Sequence, residues 1–524
     1  MSQDTEQKNF CHTEEEDKLY SGWLKKNLFA AKPNSKNKKF SLVMPPPNVT
    51  GTLHIGHALN MTLQDVLARF WRMNNRDVLW QPGTDHAGIA TQSLVEKKIQ
   101  ARNHTKDTLG KAKFISEIWK WKQNSGDQIV KQIKKIGASP DWNRLKFTLD
   151  PDMSNAVNYA FIKLYNKKLI YKDKRLVNWD IKLQTAISDL EVEQKECEGK
   201  FFYIKYFLQN SNEYLVVATT RPETIFGDVC IAVNPNDKRY KNFIGKNVIL
   251  PLVNKIIPVI GDKYVDLEKG TGALKVTPAH DFNDYKIGKK HKFLPITIFN
   301  KAGKFNELVP RPYQNIDRIK ARDKIIEDLR RNHNLYKIKN IRHFVPFGDR
   351  SNTIIEPYLT DQWFLDVKKM ANSSISQVKN KSTVFVPSSW TKTFYSWMSN
   401  IEPWCISRQI WWGHQIPVWY GPDNKKFVAN SEKEAMRLAK KLYKKNTKLI
   451  RDKDVLDTWF SSSLWPLSTL GWPKKNQYFN SYFPTSVLVT GFDIIFFWVA
   501  RMIMQSLFFS NRVPFKKVYI HALV

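Results

Sequence analysis

Two histidines flank a glycine in His54-Ile-Gly56-His57, directly after the rigid loop Pro45-Pro-Pro-Asn48-Val-Thr-Gly51. Two imidazole donors beside a spot without a side chain suit a triphosphate and the flat face of a purine. Taken alone, the same residues serve equally well as ordinary histidines at a helix start. Asp85, in Gly83-Thr-Asp-His-Ala-Gly88, is on spacing alone a candidate helix cap. A third group, Lys275, Thr277, Asp281 and Asp284, alternates and clusters where a strand ends, the makings of a small polar pocket. Thr219, Thr220, Arg221 and Thr224 add hydroxyls and a cation. An exposed polar turn and a capped helix start are the plain alternatives for these last two groups.

The elements that must position these residues follow from hydrophobic spacing. Lys39–Met44 reads as a strand, and apolar Leu59, Leu63, Val66, Leu67, Phe70 and Met73 then step at three and four residues, a helix. Asp77–Trp80 reads as a second strand. Strand, loop, helix, strand is how a parallel α/β sheet begins. The stretch Leu94–Lys135 reads as charged surface helices. From Lys200 to about His343 short β-rich runs alternate with turns, so a β-rich domain is inserted into the α/β one. A strand at Ser486–Thr490 precedes the most apolar stretch, Val487–Phe509, which holds Asp493, Arg501 and Gln505 and reads as a buried core helix, not a membrane span.

Composition narrows the class. A chain of 524 residues with 42% hydrophobic and 13% aromatic residues is neither a disordered tail nor a small stapled domain. Four scattered cysteines, Cys11, Cys197, Cys230 and Cys405, exclude a disulfide scaffold and fit a reducing compartment, the cytosol. The N-terminus is acidic and polar, unlike a secretory or transit leader. A net charge of +34 suits a polyanionic partner, and lysine-rich base composition accounts for it as readily.

Taken together, these blocks resemble class I aminoacyl-tRNA synthetases, valyl-tRNA synthetases in particular, over about Ser41 to Val524. The resemblance runs through the two blocks above and Leu176-Val-Asn-Trp-Asp180, Ala218-Thr-Thr-Arg-Pro-Glu-Thr224 and Thr277-Pro-Ala-His-Asp-Phe-Asn-Asp-Tyr285. It continues in Trp404-Cys-Ile-Ser-Arg-Gln-Ile-Trp-Trp-Gly-His414, Asp457-Thr-Trp-Phe-Ser-Ser462 and Gly491-Phe-Asp-Ile-Ile-Phe-Phe-Trp498. It implies a Rossmann-type catalytic domain split by an editing domain. On that reading residues 1–190 hold an N-terminal segment and the first catalytic half, 191–343 the insert, and 344–524 the second half.

The implied activity is ATP-dependent activation of valine and its transfer to a valine tRNA. By resemblance His54 and His57 contact the ATP phosphates, and Gly56 lies against the adenine. Magnesium accompanies ATP. Asp85 holds the valine ammonium, Pro46, Asn48, Trp459, Ile494 and Trp498 surround the amino acid, and Gly491 with Asp493 receives the adenylate ribose. Ile494 favours valine over isoleucine, and the Gly83–Gly88 block likewise disfavours a leucyl or isoleucyl synthetase. An apolar pocket rejects an added hydroxyl poorly, a limit for which valine enzymes facing threonine are the standing example. A second site must therefore hydrolyse misloaded threonine. The resemblance puts it at Thr219, Thr220, Arg221, Thr224, Lys275, Thr277, Asp281 and Asp284, with Asp284 on the α-ammonium and Asp281 toward the hydroxyl.

Two departures qualify the resemblance. Val418–Asn424 lacks the cysteines with which some relatives bind zinc, so no zinc is expected. The sequence also stops at Val524, before the Lys-Met-Ser-Lys-Ser loop and the anticodon-binding region that would follow. The expectation is therefore a monomeric fragment that activates valine poorly and binds tRNA loosely. A chain retaining only threonyl-tRNA deacylation, or only RNA binding, is the alternative.

Overall fold

Five short runs of apolar residues form one parallel sheet, in the spatial order Val384–Val386, Phe515–His521, Thr485–Gly491, Lys39–Val43 and Asp77–Gln81. The computed structural model that shows this describes residues 12–474 and 476–524; Cys11 and the acidic start of the chain lie outside them. The strands are apolar on both sides because both faces are covered. Phe40, Leu42, Val78, Trp80, Val487 and Val489 enter one core. Val43, Leu79, Leu488, Val518 and Phe385 enter the other.

The connections run outward in opposite directions from the middle of this sheet. Helix Ile55–Met73 leads from Lys39–Val43 to Asp77–Gln81, while the helical stretch 492–510 leads from Thr485–Gly491 to Phe515–His521. The two inner strands are neighbours, with Leu42 paired to Val487. Their carboxyl ends are therefore a topological switch point, where open α/β sheets bind ligands. The stretch Phe492–Ser510 is long and apolar enough to cross a membrane, yet 61% of its most apolar window is buried inside the protein. Ile495, Trp498, Val499, Met502 and Ile503 carry it into the core, as its reading as a core helix expects.

Helix Lys111–Lys135 is more than the charged surface helix its composition suggests. It buries Phe114, Ile118, Ile129 and Ile133, and Trp121 Nε1 donates to the Val49 carbonyl at 2.8 Å. Gln132 Oε1 accepts from the Leu53 N–H at 2.9 Å. The helix thus holds the loop that leads to His54.

The chain divides into two compact units, one formed by residues up to Tyr171 together with Trp363–Val524, the other by Lys172–Gln362. The expected limits of the insert, 191 and 343, both fall inside the second unit. Composition changes late because the unit opens with a short hairpin: Asn178, Trp179 and Asp180 pair with Ile187, Ala186 and Thr185 before the β-rich run begins. Trp179 Nε1 also donates to the Lys301 carbonyl at 2.9 Å. On the other side, Glu356 belongs to the unit through buried ion pairs with Arg221 and Arg318. Within this unit the long antiparallel pair Val192–Phe207 and Leu335–Gly348 carries a third strand, Tyr214–Thr219. A mixed sheet is ordered Asn247–Leu250, Lys255–Gly261, Cys230–Val233, Ala273–Val276. Its core, with Ile204, Tyr206, Val217, Ile231, Val259 and Phe299, is its own.

Candidate active site

At the switch point the first unit collects its chemistry-bearing residues on two loops. His54 is the extended cap of helix Ile55–Met73; its Nδ1 accepts from the Gly56 N–H at 3.1 Å. His57 returns the favour, its Nδ1 accepting from the His54 N–H at 3.3 Å, a reciprocal capping box. Because both Nδ1 atoms accept, each neutral ring carries its proton on Nε2, a donor left for an anion at the helix start. Burial, and then the neighbouring His54, push the His57 pKa down to about 4. A Cβ on Gly56 would lie 3.0 Å from His54 Cε1, so the glycine leaves that folded-back ring room it would otherwise have to yield. Both alternatives for these histidines thus coexist: they cap the helix and still offer donors.

Asp85 is buried beside the first loop. Its N–H donates to the Pro47 carbonyl at 2.9 Å and its carbonyl accepts from Val49 at 3.1 Å, which ties Asn48 to Asp85 as a parallel bridge. The carboxylate Oδ1 accepts from the Ala87 N–H at 2.6 Å and from Thr458 Oγ1 at 2.8 Å. The cap of the following helix is Ala87, in the left-handed region at φ 46°, so Asp85 is not that cap. Burial raises the Asp85 carboxyl to about 6, against the two hydrogen bonds. A carboxylate in that position needs a cation to complete it.

Across the switch point lies the second loop. Asp493 is exposed, and a Cβ on Gly491 would come within 2.4 Å of its Oδ1, so only glycine allows that carboxylate to fold back on the strand end. Trp459 stacks on Phe497 at 5.0 Å, and Trp459 and Ile494 are partly buried at the edge of the core. Trp498 lies inside it, 2% exposed, and its Nε1 donates to the Ser462 carbonyl at 2.9 Å. Pro46 is half-buried and Asn48 exposed on the first loop.

The second unit gathers the other group of residues around one buried lysine. Lys275 Nζ donates to Thr224 Oγ1 at 2.7 Å, Asp228 Oδ1 at 2.8 Å and Thr277 Oγ1 at 2.5 Å. Tyr206 OH closes the far side of Asp228 at 2.7 Å. Asp284 Oδ2 accepts from the Thr277 N–H at 2.8 Å, and burial, with Asp281 nearby, raises its carboxyl to about 7. Asp281 is exposed and caps helix Phe282–Lys290, its Oδ1 accepting from Asn283 and Asp284. Arg221, the cation of this group, is engaged inside the fold. Its Nη2 donates to Glu356 at 2.7 Å, its Nε to Glu223 at 3.1 Å and its Nη1 to the His280 carbonyl at 2.8 Å. Attraction from two buried carboxylates outweighs its desolvation and spends the charge inside the fold. Thr219 Oγ1 accepts from the Arg221 N–H at 3.0 Å, and Thr220 is half-buried beside it.

The family description "tRNA synthetases class I (I, L, M and V)" matches residues 18–524. The chain belongs to this family. It is 57% identical over 515 residues to the valine–tRNA ligase of Pelagibacter ubique (strain HTCC1062), covering 98% of this chain and 59% of that protein. It is 49% identical over 562 residues to that of Bradyrhizobium diazoefficiens, covering 99% and 59%. The chain therefore spans about three-fifths of the length of the curated relatives it matches. Among solved structures it is similar to the ternary complex of Agrobacterium radiobacter K84 agnB2 LeuRS with tRNA and LeuAMS. That likeness has a TM-score of 0.52 and 18% identity, and covers 98% of this chain and 68% of the other. It bears on the fold alone: α/β with a parallel Rossmann-type sheet.

Several residues of this chain carried no clear signal in the sequence. Asp457 caps helix Thr458–Ser462, accepts from Trp404 Nε1 at 3.0 Å and pairs with Arg408 Nη2 at 3.0 Å, with Arg501 3.7 Å away. Thr458 lies on Asp85, and Asp228 and Glu356 organise the second unit. Asp457 and Thr458 stood within a quoted block, where an Asp-Thr pair before an apolar run signals a cap; the other two carried no local signal. Among the described residues no group of three or more His, Cys, Asp or Glu side chains is placed to hold a metal ion.

Proposed function

We propose that this chain carries the activating and editing portion of a valine–tRNA ligase. The observation that carries the reading is the convergence at the sheet's switch point of the His54–His57 helix start, buried Asp85 and exposed Asp493. The valine carboxylate attacks the α-phosphorus of ATP, the bond to the bridging oxygen breaks, and pyrophosphate leaves with valyl-adenylate formed. His54 and His57 donate from Nε2 to phosphate oxygens whose charge grows in that step. Gly56 leaves room for the adenine, and Gly491 and Asp493 take the ribose hydroxyls. Magnesium arrives with ATP as the counter-ion of its phosphates. Asp85, ionised, takes the ammonium, and Pro46, Asn48, Trp459, Ile494 and Trp498 enclose the amino acid. The valyl group then passes to the terminal adenosine of a valine tRNA. Cys197, Cys230 and Cys405 form no disulfide among the described residues, which fits a reducing, cytosolic setting.

In the second unit, Asp284 takes the ammonium of a misloaded threonine, with Thr219, Thr220, Thr224, Lys275, Thr277 and Asp281 around the polar pocket. Lys275 holds the floor through Asp228, and a positioned water cleaves the ester. Hydrolysis of threonyl-tRNA and valyl-tRNA by this chain, with Asp284→Ala as control, tests the reading. Selective threonine release that the variant loses is expected. Equal release of both amino acids would overturn the valine assignment.

A further inference from the structure

The helix Thr458–Ser462 touches both ends of the proposed amino-acid site. Thr458 Oγ1 donates to Asp85 Oδ1 at 2.8 Å, across 373 residues of chain. The Thr458 carbonyl accepts from Ser461 Oγ at 2.8 Å and Ser462 Oγ at 2.7 Å. The Ser462 carbonyl in turn accepts from Trp498 Nε1. Asp457 fixes the start of this helix, its Oδ1 accepting from the Trp459 N–H at 3.2 Å while Arg408 holds its other oxygen. One short helix, anchored on a buried ion pair, therefore sets the carboxylate, the stacked Trp459 and the buried Trp498 relative to one another.

We infer that Thr458 is the positioning residue of the amino-acid site: its hydroxyl aims the Asp85 carboxylate and keeps it ionised for an α-ammonium. The inference rests on the reading of this site as amino-acid-binding. Every charged or titratable group facing Asp85 supports the need for such a donor. His86 Nδ1 is 3.6 Å from Oδ1, but burial holds that imidazole neutral and Thr148 Oγ1 occupies the same nitrogen at 2.7 Å. Asp457 is a like charge that works against ionisation, and Arg408 and Arg501 are engaged with Asp457. Two donors to Oδ1 remain, the Ala87 N–H and Thr458, and the second is the one a side-chain change removes. A hydrogen bond to a charged, buried acceptor is among the stronger ones a protein makes.

The test is calorimetric titration of the full chain with L-valine between pH 5.5 and 8, for wild type, Thr458→Val, Thr458→Ala and Thr458→Ser. Loss of the hydroxyl in the Val and Ala variants is expected to weaken binding about tenfold at pH 7. The acid limb of the affinity profile should move upward in both, while Ser restores affinity and limb to within about twofold. Thermal melts accompany each titration, and the Ala variant, which vacates space where Val fills it, separates lost packing from the lost donor. Unchanged affinity and an unmoved acid limb in folded Val and Ala variants overturn the inference alone. A wild-type chain that binds no valine overturns the amino-acid reading and this inference with it.

Discussion

Asp284 and His57 titrate on opposite sides of their ordinary values, and each makes a separate demand on stability. The Asp284 carboxyl is raised from 3.8 to about 7 by burial. Its stabilising contribution is full below about pH 4 and is lost as pH rises through about 7. Urea midpoints of wild type and Asp284→Asn should therefore diverge in favour of the variant between pH 5 and 8; parallel midpoints would refute the buried-acid assignment. His57, lowered from 6.5 to about 4, contributes stability above about pH 6.5 that fades as pH falls toward 4. Gly56→Ala should push the exposed His54 ring back by a few tenths of an ångström, because a Cβ there lies 3.0 Å from the imidazole. We expect weakened ATP binding with thermal and urea midpoints close to wild type, because the helix propensity of alanine offsets the disturbed cap. At this scale the sequence announced residues by local grammar. Two histidines around a glycine are visible in four letters, but the partners of Lys275 and Arg221 are not, since Asp228 and Glu356 reach them across 47 and 135 residues.

Among the elements, the buried ion network of the second unit is the most exposed to single changes. Glu356 accepts from both Arg221 and Arg318 and is almost fully buried. Glu356→Gln leaves two guanidinium groups short of their counter-charge, and breaking a buried pair from one side costs ~3–5 kcal/mol. Urea denaturation followed through the second unit's tryptophan, Trp179, should show that loss, whereas a midpoint within error of wild type would make the network dispensable. The parallel strands were legible because burial on both faces leaves unbroken apolar runs such as Val487-Leu-Val489. The unit's limits were not, because the hairpin over 178–187 mixes apolar and polar residues as the preceding segment does and its membership depends on pairing. Helix Lys111–Lys135 was misjudged for a related reason. Its many lysines hid a buried stripe, Phe114, Ile118, Ile129 and Ile133, that composition averages away.

For the whole molecule, the two units make two predictions. The unit Lys172–Gln362 is continuous in sequence and has its own core, so the excised segment should unfold cooperatively in urea with circular dichroism typical of β-rich proteins. A broad, non-cooperative loss of signal would show that it needs the rest of the chain. If the net charge of +34 serves a tRNA, affinity should fall at least about tenfold between 50 and 200 mM salt in filter binding. A salt-independent affinity would assign the lysines to base composition. The first unit, by contrast, is discontinuous: the Ser41 N–H on an inner strand donates to Ser486 Oγ, 445 residues later. On a ribosome adding roughly 5–20 residues each second, that partner arrives roughly 20–90 s after Ser41 does. The second unit can be complete before the first has its central strand pair. The edge of Lys39–Val43 spends that interval unpaired, which makes the nascent chain's most vulnerable surface a part of the finished protein that solvent never reaches.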